Sequence, residues 1–446
     1  MTARGFLWVA LVVVLVGILP AGAGAVEIRE VKSPGGITAW LVEDRINPII
    51  SVEILFRGGA ALDPDGKGGL ANMVSGLLDE GAGDIDSQAF RRELEDKAIT
   101  LKFEAGRDSF SGSLRTLTEN ADRAFELLAL ALTKPRFDAE PVERVRNQIL
   151  TSLRHEAEDP DRLAADELNA RVFAGHGYAS NPDGTAESVN AITVADLRTF
   201  TATRLGRDNL VIGVVGDITP AKLAPMLDRV FGALPAKAAP WQMDDVRFTS
   251  GGGTVVIDKS FPQSAIAMAA PGIKRDDPDY YAALLVNHIL GGGSFTSRLY
   301  QEVREKRGLA YSVYSGLYPL QFGGVVIARS GTANESVAET VRIIREEWQR
   351  MGKDGPTAEE LRDAKTYING SFPLRFTSSG AVANLLVGIQ IHDLGRDYLD
   401  RRGQLIDSVS LDDARRVARR LLDVGGLTTV VVGQPVGLES TPDSGS

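Results

Sequence analysis

The chain has 446 residues, with 49 basic against 59 acidic side chains, four histidines, no cysteine and a net charge of −10. The acidic balance excludes a general nucleic-acid binder, whose phosphate partner needs a basic face. The lack of cysteine excludes a disulfide framework, thiolate-held zinc or iron–sulfur centres, and thiol catalysis.

Residues 1–25 come first. Arg4 precedes an apolar run at residues 6–19, Pro20 ends it, and Ala23 and Ala25 supply an A-x-A cleavage pattern. This is the layout of a secretory signal peptide. The run is shorter than the ~20 apolar residues of a membrane-spanning helix, and an uncleaved anchor is the alternative. No later stretch is long enough to span. Cleavage removes Arg4 and no acid, so the mature chain stands at −11. Export, with a periplasmic destination, suits a chain that has no thiol to oxidise.

Residues 49–56 are rich in β-branched side chains and read as a strand. After Gly69, the residues Leu70, Ala71, Met73, Val74, Leu77 and Leu78 form an apolar stripe at helical spacing. Asn72, Ser75, Gly76 and Asp79 take the complementary face. Residues 122–132 are a further helix, and Asp138-Ala-Glu140 opens a charged one. Thr193-Val-Ala-Asp196 starts a helix in capping-box fashion, and an apolar strand then closes at Gly216. Proline- and glycine-rich stretches at 235–240 and 250–253 bracket a linker. Beyond it come a strand at 255–257, a helix at 338–350 and the helix start Thr357-Ala-Glu359. Ser410-Leu-Asp-Asp413 then leads into a strand closing at Gly433.

These features repeat. The capped helix and the terminal glycine recur after 217 residues, and the charged helix start recurs after 219. The fold class is therefore α+β, with one unit duplicated. The two copies occupy residues 26–235 and 254–436, joined by a linker at 236–253 and followed by a disordered tail at 437–446.

Three stretches resemble one family. His176-Gly-Tyr178 with Gly184-Thr-Ala-Glu-Ser188, and Gly69-Leu-Ala71 with Leu77-Leu-Asp-Glu-Gly81, lie in the first half. Gly291-Gly-Gly-Ser-Phe-Thr-Ser-Arg-Leu-Tyr300, followed by Glu302-Val-Arg-Glu-Lys-Arg-Gly-Leu-Ala-Tyr311, lies in the second and is the most specific. Together they are similar to the insulinase/pitrilysin family of zinc peptidases, which includes the mitochondrial processing peptidase subunits. The resemblance spans nearly the whole mature chain and implies an insulinase-like fold, two homologous duplicated α/β domains, each a mixed sheet packed with helices.

The resemblance also locates a missing metal site. Family peptidases bind zinc through an inverted H-x-x-E-H helix and a downstream glutamate. The histidine positions fall here at Asn72 and Gly76, the general-base glutamate at Ser75, and the downstream ligand near Ser152. Asparagine and glycine cannot replace two imidazoles, and serine has no carboxylate to activate water. No cofactor is expected in this chain. The four histidines supply no substitute: His155 reads as a solvated helix face, His176 as structural, and His288 and His392 as isolated core or surface residues.

Arg304 and Tyr311 correspond to the family's arginine–tyrosine pair, which reaches across to the zinc site. A helix from about Ser297, stopped at Gly308, and a strand after it would bring them together, with Tyr311, Val313 and Ser315 on one strand face. The alternative is an ordinary charged helix, with Glu302 and Lys306 an i, i+4 pair, beside a strand aromatic. Gly291-Gly-Gly293 lacks the remainder of a phosphate-binding motif and reads as a tight turn.

The resemblance implies the non-zinc subunit of an exported heterodimeric metallopeptidase, inactive alone. Arg304 and Tyr311 would contact an unfolded peptide substrate, while a homologous H-x-x-E-H-bearing partner would carry the zinc. The alternative is a catalytically inactive scaffold, or a peptide-binding protein, of the same fold.

Overall fold

The computed structural model describes residues 27–248 and 252–441. The segment read as a signal peptide and the end of the tail lie outside the described residues. The first half carries strands β1 (Arg29–Lys32), β2 (Thr38–Glu43), β3 (Ile49–Arg57), β4 (Thr100–Ala105), β5 (Ser109–Leu117) and β6 (Leu210–Gly216). Its helices are α1 (Leu70–Ser75), α2 (Ser87–Asp96), α3 (Ala121–Thr133) and α4 (Ala139–Glu156). They continue with α5 (Pro160–Val172), α6 (Ala186–Ala191), α7 (Val194–Arg204) and α8 (Pro220–Phe231). The second half has strands β7 (Gly253–Asp258), β8 (Gln263–Pro271), β9 (Ala310–Leu320), β10 (Gly323–Ala333) and β11 (Thr428–Gly433). Its helices are α9 (Tyr280–Asn287), α10 (Val337–Asp354), α11 (Ala358–Gly370), α12 (Ser379–Ile391), α13 (Tyr398–Asp407) and α14 (Leu411–Leu421).

The strands form two sheets, ordered β1-β2-β6-β3-β5-β4 and β7-β11-β8-β10-β9. Without β1 the two topologies coincide. β2 runs parallel to β6 as β7 does to β11, and the other neighbours are antiparallel. The repeated sequence features have matching physical roles. Thr193 and Ser410 each cap a helix by accepting the third amide, from Asp196 and Asp413. Gly216 and Gly433 both sit at a φ near +145°, at 143° and 149°. A Cβ on Gly216 would lie 2.1 Å from the Ile49 carbonyl oxygen, so the strand can end there only in glycine.

Each sheet buries one face against helices of its own half. Ile50, Val52, Ile54 and Phe56 alternate into the first core. Ile266, Met268 and Val431 face Val341, Ile344 and Trp348 in the second. The opposite faces are covered reciprocally. α5 of the first half lies on β8 and β11, with Ala164 and Leu168 among Ala265, Ala267 and Val430. α12 of the second half lies on β6 and β3, with Val382, Ala383 and Leu386 against Val215. The two helices begin 219 residues apart, at Pro160 and Ser379.

Two connecting segments are more tightly held than their composition suggests. Between the halves, Met243, Val246 and Phe248 pack under the second sheet, Trp241 meets Phe322 edge-on, and the Val246 amide donates to Phe322. The tail, expected to be disordered from residue 437, is tied down as far as Thr441. Ser440 and Thr441 hydrogen-bond Val256 and Thr254 along the open edge of β7, which offers backbone groups no strand uses. Among the described residues no helix is long and apolar enough to cross a membrane.

Candidate functional site

Helix α1 ends at Ser75, three residues short of the stripe that the sequence traces to Leu78. The Ser75 hydroxyl donates to the Asn72 carbonyl at 2.8 Å, and the Gly76 amide approaches the same oxygen at 3.2 Å. A side chain thus competes for the last helical acceptor beside a glycine, and the helix gives way to a turn. Leu77 and Leu78 stay buried in that turn. At the other end Asp63 accepts from the Ala71 amide at 3.1 Å, and burial pushes its carboxyl up to about 7.

The four positions that the resemblance aligns with the family's zinc ligands and general base are occupied with other business. The Asn72 amide donates to Asp183 at 3.0 Å, and Asp183 is held in turn by Arg162 at 2.6 Å. The buried Ser75 hydroxyl is committed to its own backbone. Gly76 presents no side chain, and a Cβ there would stand 3.2 Å from Val145 of α4. Ser152 lies on the exposed face of α4, donating to Glu156 at 3.2 Å. This donor set does not fit zinc, which takes imidazole, carboxylate or thiolate at ~2.0–2.3 Å. Among the described residues no three histidines or acids cluster in a way that could hold a metal. A charged group does lie beyond the turn: Glu80, 3% exposed, accepts from Ser87 and pairs with Arg91 and Arg144.

The structure does bring Arg304 and Tyr311 together. Their supporting segment is not the regular helix expected. Residues Tyr300–Glu305 form a π-helical turn, in which the Lys306 amide bonds the Gln301 carbonyl at 3.0 Å, five residues back. Glu302 pairs with Lys306 and Arg307, each at 2.6 Å, which leaves Arg304 outside that charge network. Arg304 lies instead between two phenol rings, 4.9 Å from the Tyr300 ring centroid and 4.6 Å from that of Tyr311. It also donates to the Tyr300 hydroxyl. Phe295 packs edge-on against Tyr300 at 5.0 Å.

The expected strand face is also corrected. Ser312 pairs with Gly331 and Ala310 with Thr332, so Tyr311 is the extra residue of a β-bulge. Val313 and Ser315 point inward while Tyr311 is turned outward, 83% exposed. A bulge re-aims one side chain out of the alternation. The result is a phenol hydroxyl presented to solvent beside a guanidinium that has no carboxylate partner among the described residues. Such a pair can donate hydrogen bonds to a carbonyl oxygen on which negative charge builds.

The histidines divide differently from their reading in sequence. His155 is exposed on α4. His176 is structural, its Nδ1 accepting from the Tyr178 amide at 3.1 Å and its Nε2 lying 3.0 Å from the Asp244 carbonyl. His288 and His392 are not isolated. They line one cavity of about 460 Å³ in the second half, which no sequence spacing announced.

Comparison with known proteins places the fold in a family. The family model "Insulinase (Peptidase family M16)" matches residues 39–184, and "Peptidase M16 inactive domain" matches residues 191–368. A curated Helicobacter pylori protein named "Non-peptidase homolog YmxG" is 28% identical over 96% of this chain and 98% of its own length. The mitochondrial-processing peptidase subunit beta of Lentinula edodes is 22% identical over 83% of this chain and 82% of its own. The crystal structure of a peptidase M16 inactive domain from Pseudomonas fluorescens superposes with a TM-score of 0.86 and 30% identity. That match covers 93% of this chain and 99% of the other.

Proposed function

Because this chain belongs to the insulinase family, peptidase family M16, and has no ligand set for the family's metal among the described residues, we propose that it works as the non-zinc subunit of an exported two-subunit peptidase. The observation that carries this reading is the retained pair. Arg304 is held between Tyr300 and Tyr311 on a π-turn, and Tyr311 is turned out of its strand by a bulge. Tyr311 is thereby 83% exposed beside a guanidinium with no carboxylate partner among the described residues. In the complex, Arg304 holds a backbone carbonyl of an extended peptide, and the Tyr311 hydroxyl donates to the scissile carbonyl oxygen as charge develops there. The partner is a homologous chain bearing H-x-x-E-H. Export rests on the layout of residues 1–25.

A second reading, a peptide-binding or scaffold protein without hydrolysis, is favoured by the name of the Helicobacter relative. The two separate cleanly. The purified chain is assayed on a quenched peptide, alone and mixed with a homologous H-x-x-E-H subunit from the same genome. The subunit reading expects cleavage only by the mixture. It also expects a loss of about 10²-fold in kcat for Tyr311→Phe, the usual cost of one oxyanion donor. Chelator-sensitive hydrolysis by the isolated chain, or a mixture indifferent to Tyr311→Phe and Arg304→Ala, would overturn it.

A further inference from the structure

The cavity that His288 and His392 share lies where the second half repeats the degenerate metal site of the first. The buried residues of α1 and its turn (70, 71, 73, 74, 77, 78) match those of α9 and its π-turn (282, 283, 285, 286, 289, 290) at a constant offset of 212. On that register Asn72, Ser75 and Gly76 correspond to Leu284, Asn287 and His288. Helices α4 and α11 are offset by 219, which places Ser152 opposite Ser371. All four counterparts line the cavity. In the first half the equivalent positions are closed by Asp183 and Val145; in the second the space is open.

Its lining is unusual for a chain of net charge −10. Three arginines, Arg275, Arg375 and Arg402, reach the cavity, and no aspartate or glutamate lines it. Among the described residues none of the three forms an ion pair. Arg275 donates to the Tyr281 and Tyr398 hydroxyls at 3.2 Å each, and its guanidinium lies 3.8 Å over the Tyr280 ring. Arg402 lies 4.0 Å over Phe372. All three guanidiniums act on the Tyr280 hydroxyl, opposing the upward push of burial on its pKa. Burial lowers the pKa of Arg402. His288 stacks on Tyr367 at 5.1 Å, and burial lowers its pKa as well. Guanidiniums oriented by aromatic rings and left without a counter-charge are a preformed socket for a planar or tetrahedral oxyanion. The aromatic and aliphatic wall takes the apolar body that such an anion carries.

We propose that this cavity binds a small organic anion, its oxyanion held by Arg275, Arg375 and Arg402 and its aromatic or branched body lodged against Tyr280, Tyr367 and Phe372. The volume, about 460 Å³, lies within the range of small-molecule sites, roughly 300–1,000 Å³. The carboxyl terminus of a peptide and a free phosphorylated compound present the same oxyanion chemistry. The site is distinct from the Arg304–Tyr311 pair: neither residue lines it, and its nearest approach along β9 is at Ser315, which hydrogen-bonds the lining residue Asn287 four residues, about 13 Å, from Tyr311.

The test is calorimetric titration of the purified chain with N-acetyl-phenylalanine, its uncharged amide, and phenyl phosphate. At least one acid is expected to bind at least about tenfold more tightly than the amide, and Arg375→Gln and Arg402→Gln each to weaken it at least about tenfold. Arg402→Lys, which keeps the charge, restores part of the loss, while Arg198→Gln on the remote face of α7 changes nothing. Preference for the carboxylate identifies a peptide end as the source, and preference for phenyl phosphate a phosphorylated compound. Equal binding of acid and amide, no binding up to about 10 mM, or unchanged affinity in a folded Arg375→Gln variant would overturn the proposal. Arg375 is exposed and makes no ion pair, so its variant folds even where Arg402→Gln does not. The titration needs no partner subunit, so its outcome is independent of the peptidase reading.

Discussion

At the residue scale, Glu80 and Glu53 show how burial decides what a charge does. Glu80 is almost wholly enclosed and survives as an anion acceptor because Arg91, Arg144 and Ser87 all turn to it. Glu80→Gln leaves two part-exposed guanidiniums that can relax toward water, so the cost is about 2 kcal/mol, below that of a fully enclosed pair. Urea unfolding measures it, and a loss under about 0.5 kcal/mol would mean the cluster is ornamental. Glu53 behaves oppositely. Burial and the neighbouring Glu104 push its carboxyl to about 7 from an ordinary 4.5. The folded chain therefore holds this proton more tightly than the unfolded one. The stability this gives is complete below pH 4.5 and is lost as pH rises through 7. Glu53→Gln is expected to match the parent near pH 4.5 and to exceed it by about 2 kcal/mol near pH 8. An equal difference at both values would assign the effect to packing. Of the candidate residues, Arg304 and Tyr311 were legible as types at a fixed separation. The outward aim of Tyr311 was not, because alternation in a strand carries no mark of where one residue is inserted.

At the element scale, sequence pattern located helices and strands where one amphipathic face decides, as in β3, α3 and α10. It failed where backbone hydrogen bonds depart from the regular period. The stripe at 70–78 is continuous in hydrophobicity, yet α1 stops at Ser75 because burial and helicity are separate requirements. The segment before β9 likewise keeps its apolar spacing while winding as a π-turn. Close packing between elements supplies a sharper prediction. A Cβ on Gly213 of β6 would lie 2.5 Å from the Ala383 carbonyl and 3.1 Å from the Leu386 side chain. Gly213→Val must push α12 off the sheet and should cost about 2–3 kcal/mol, read from the denaturation midpoint. A variant as stable as its parent would mean α12 rides loosely on β6.

At the scale of the whole molecule, the duplication was readable from offsets of 217 and 219 residues, whereas the exchange of α5 and α12 was not. Both helices are apolar enough to bury, and nothing in a linear pattern says on whose sheet. The exchange makes the halves interdependent. Residues 27–235 expressed alone would leave the outer face of β6 and β3 bare and α5 without its bed. The isolated half is expected to stay unfolded or aggregate, and the full chain to melt in one cooperative transition. Two separate calorimetric transitions would contradict this.

The same exchange bears on symmetry. A unit whose sheet is finished only by its neighbour's helix is satisfied in twos, so the two halves embrace as the copies of an isologous dimer do, each lending a helix to the other. Joined in one polypeptide, they keep that embrace without having to be identical. The second half can therefore gather arginines at a cavity whose counterpart in the first is closed by Asp183 and Val145, without unmaking the shared frame.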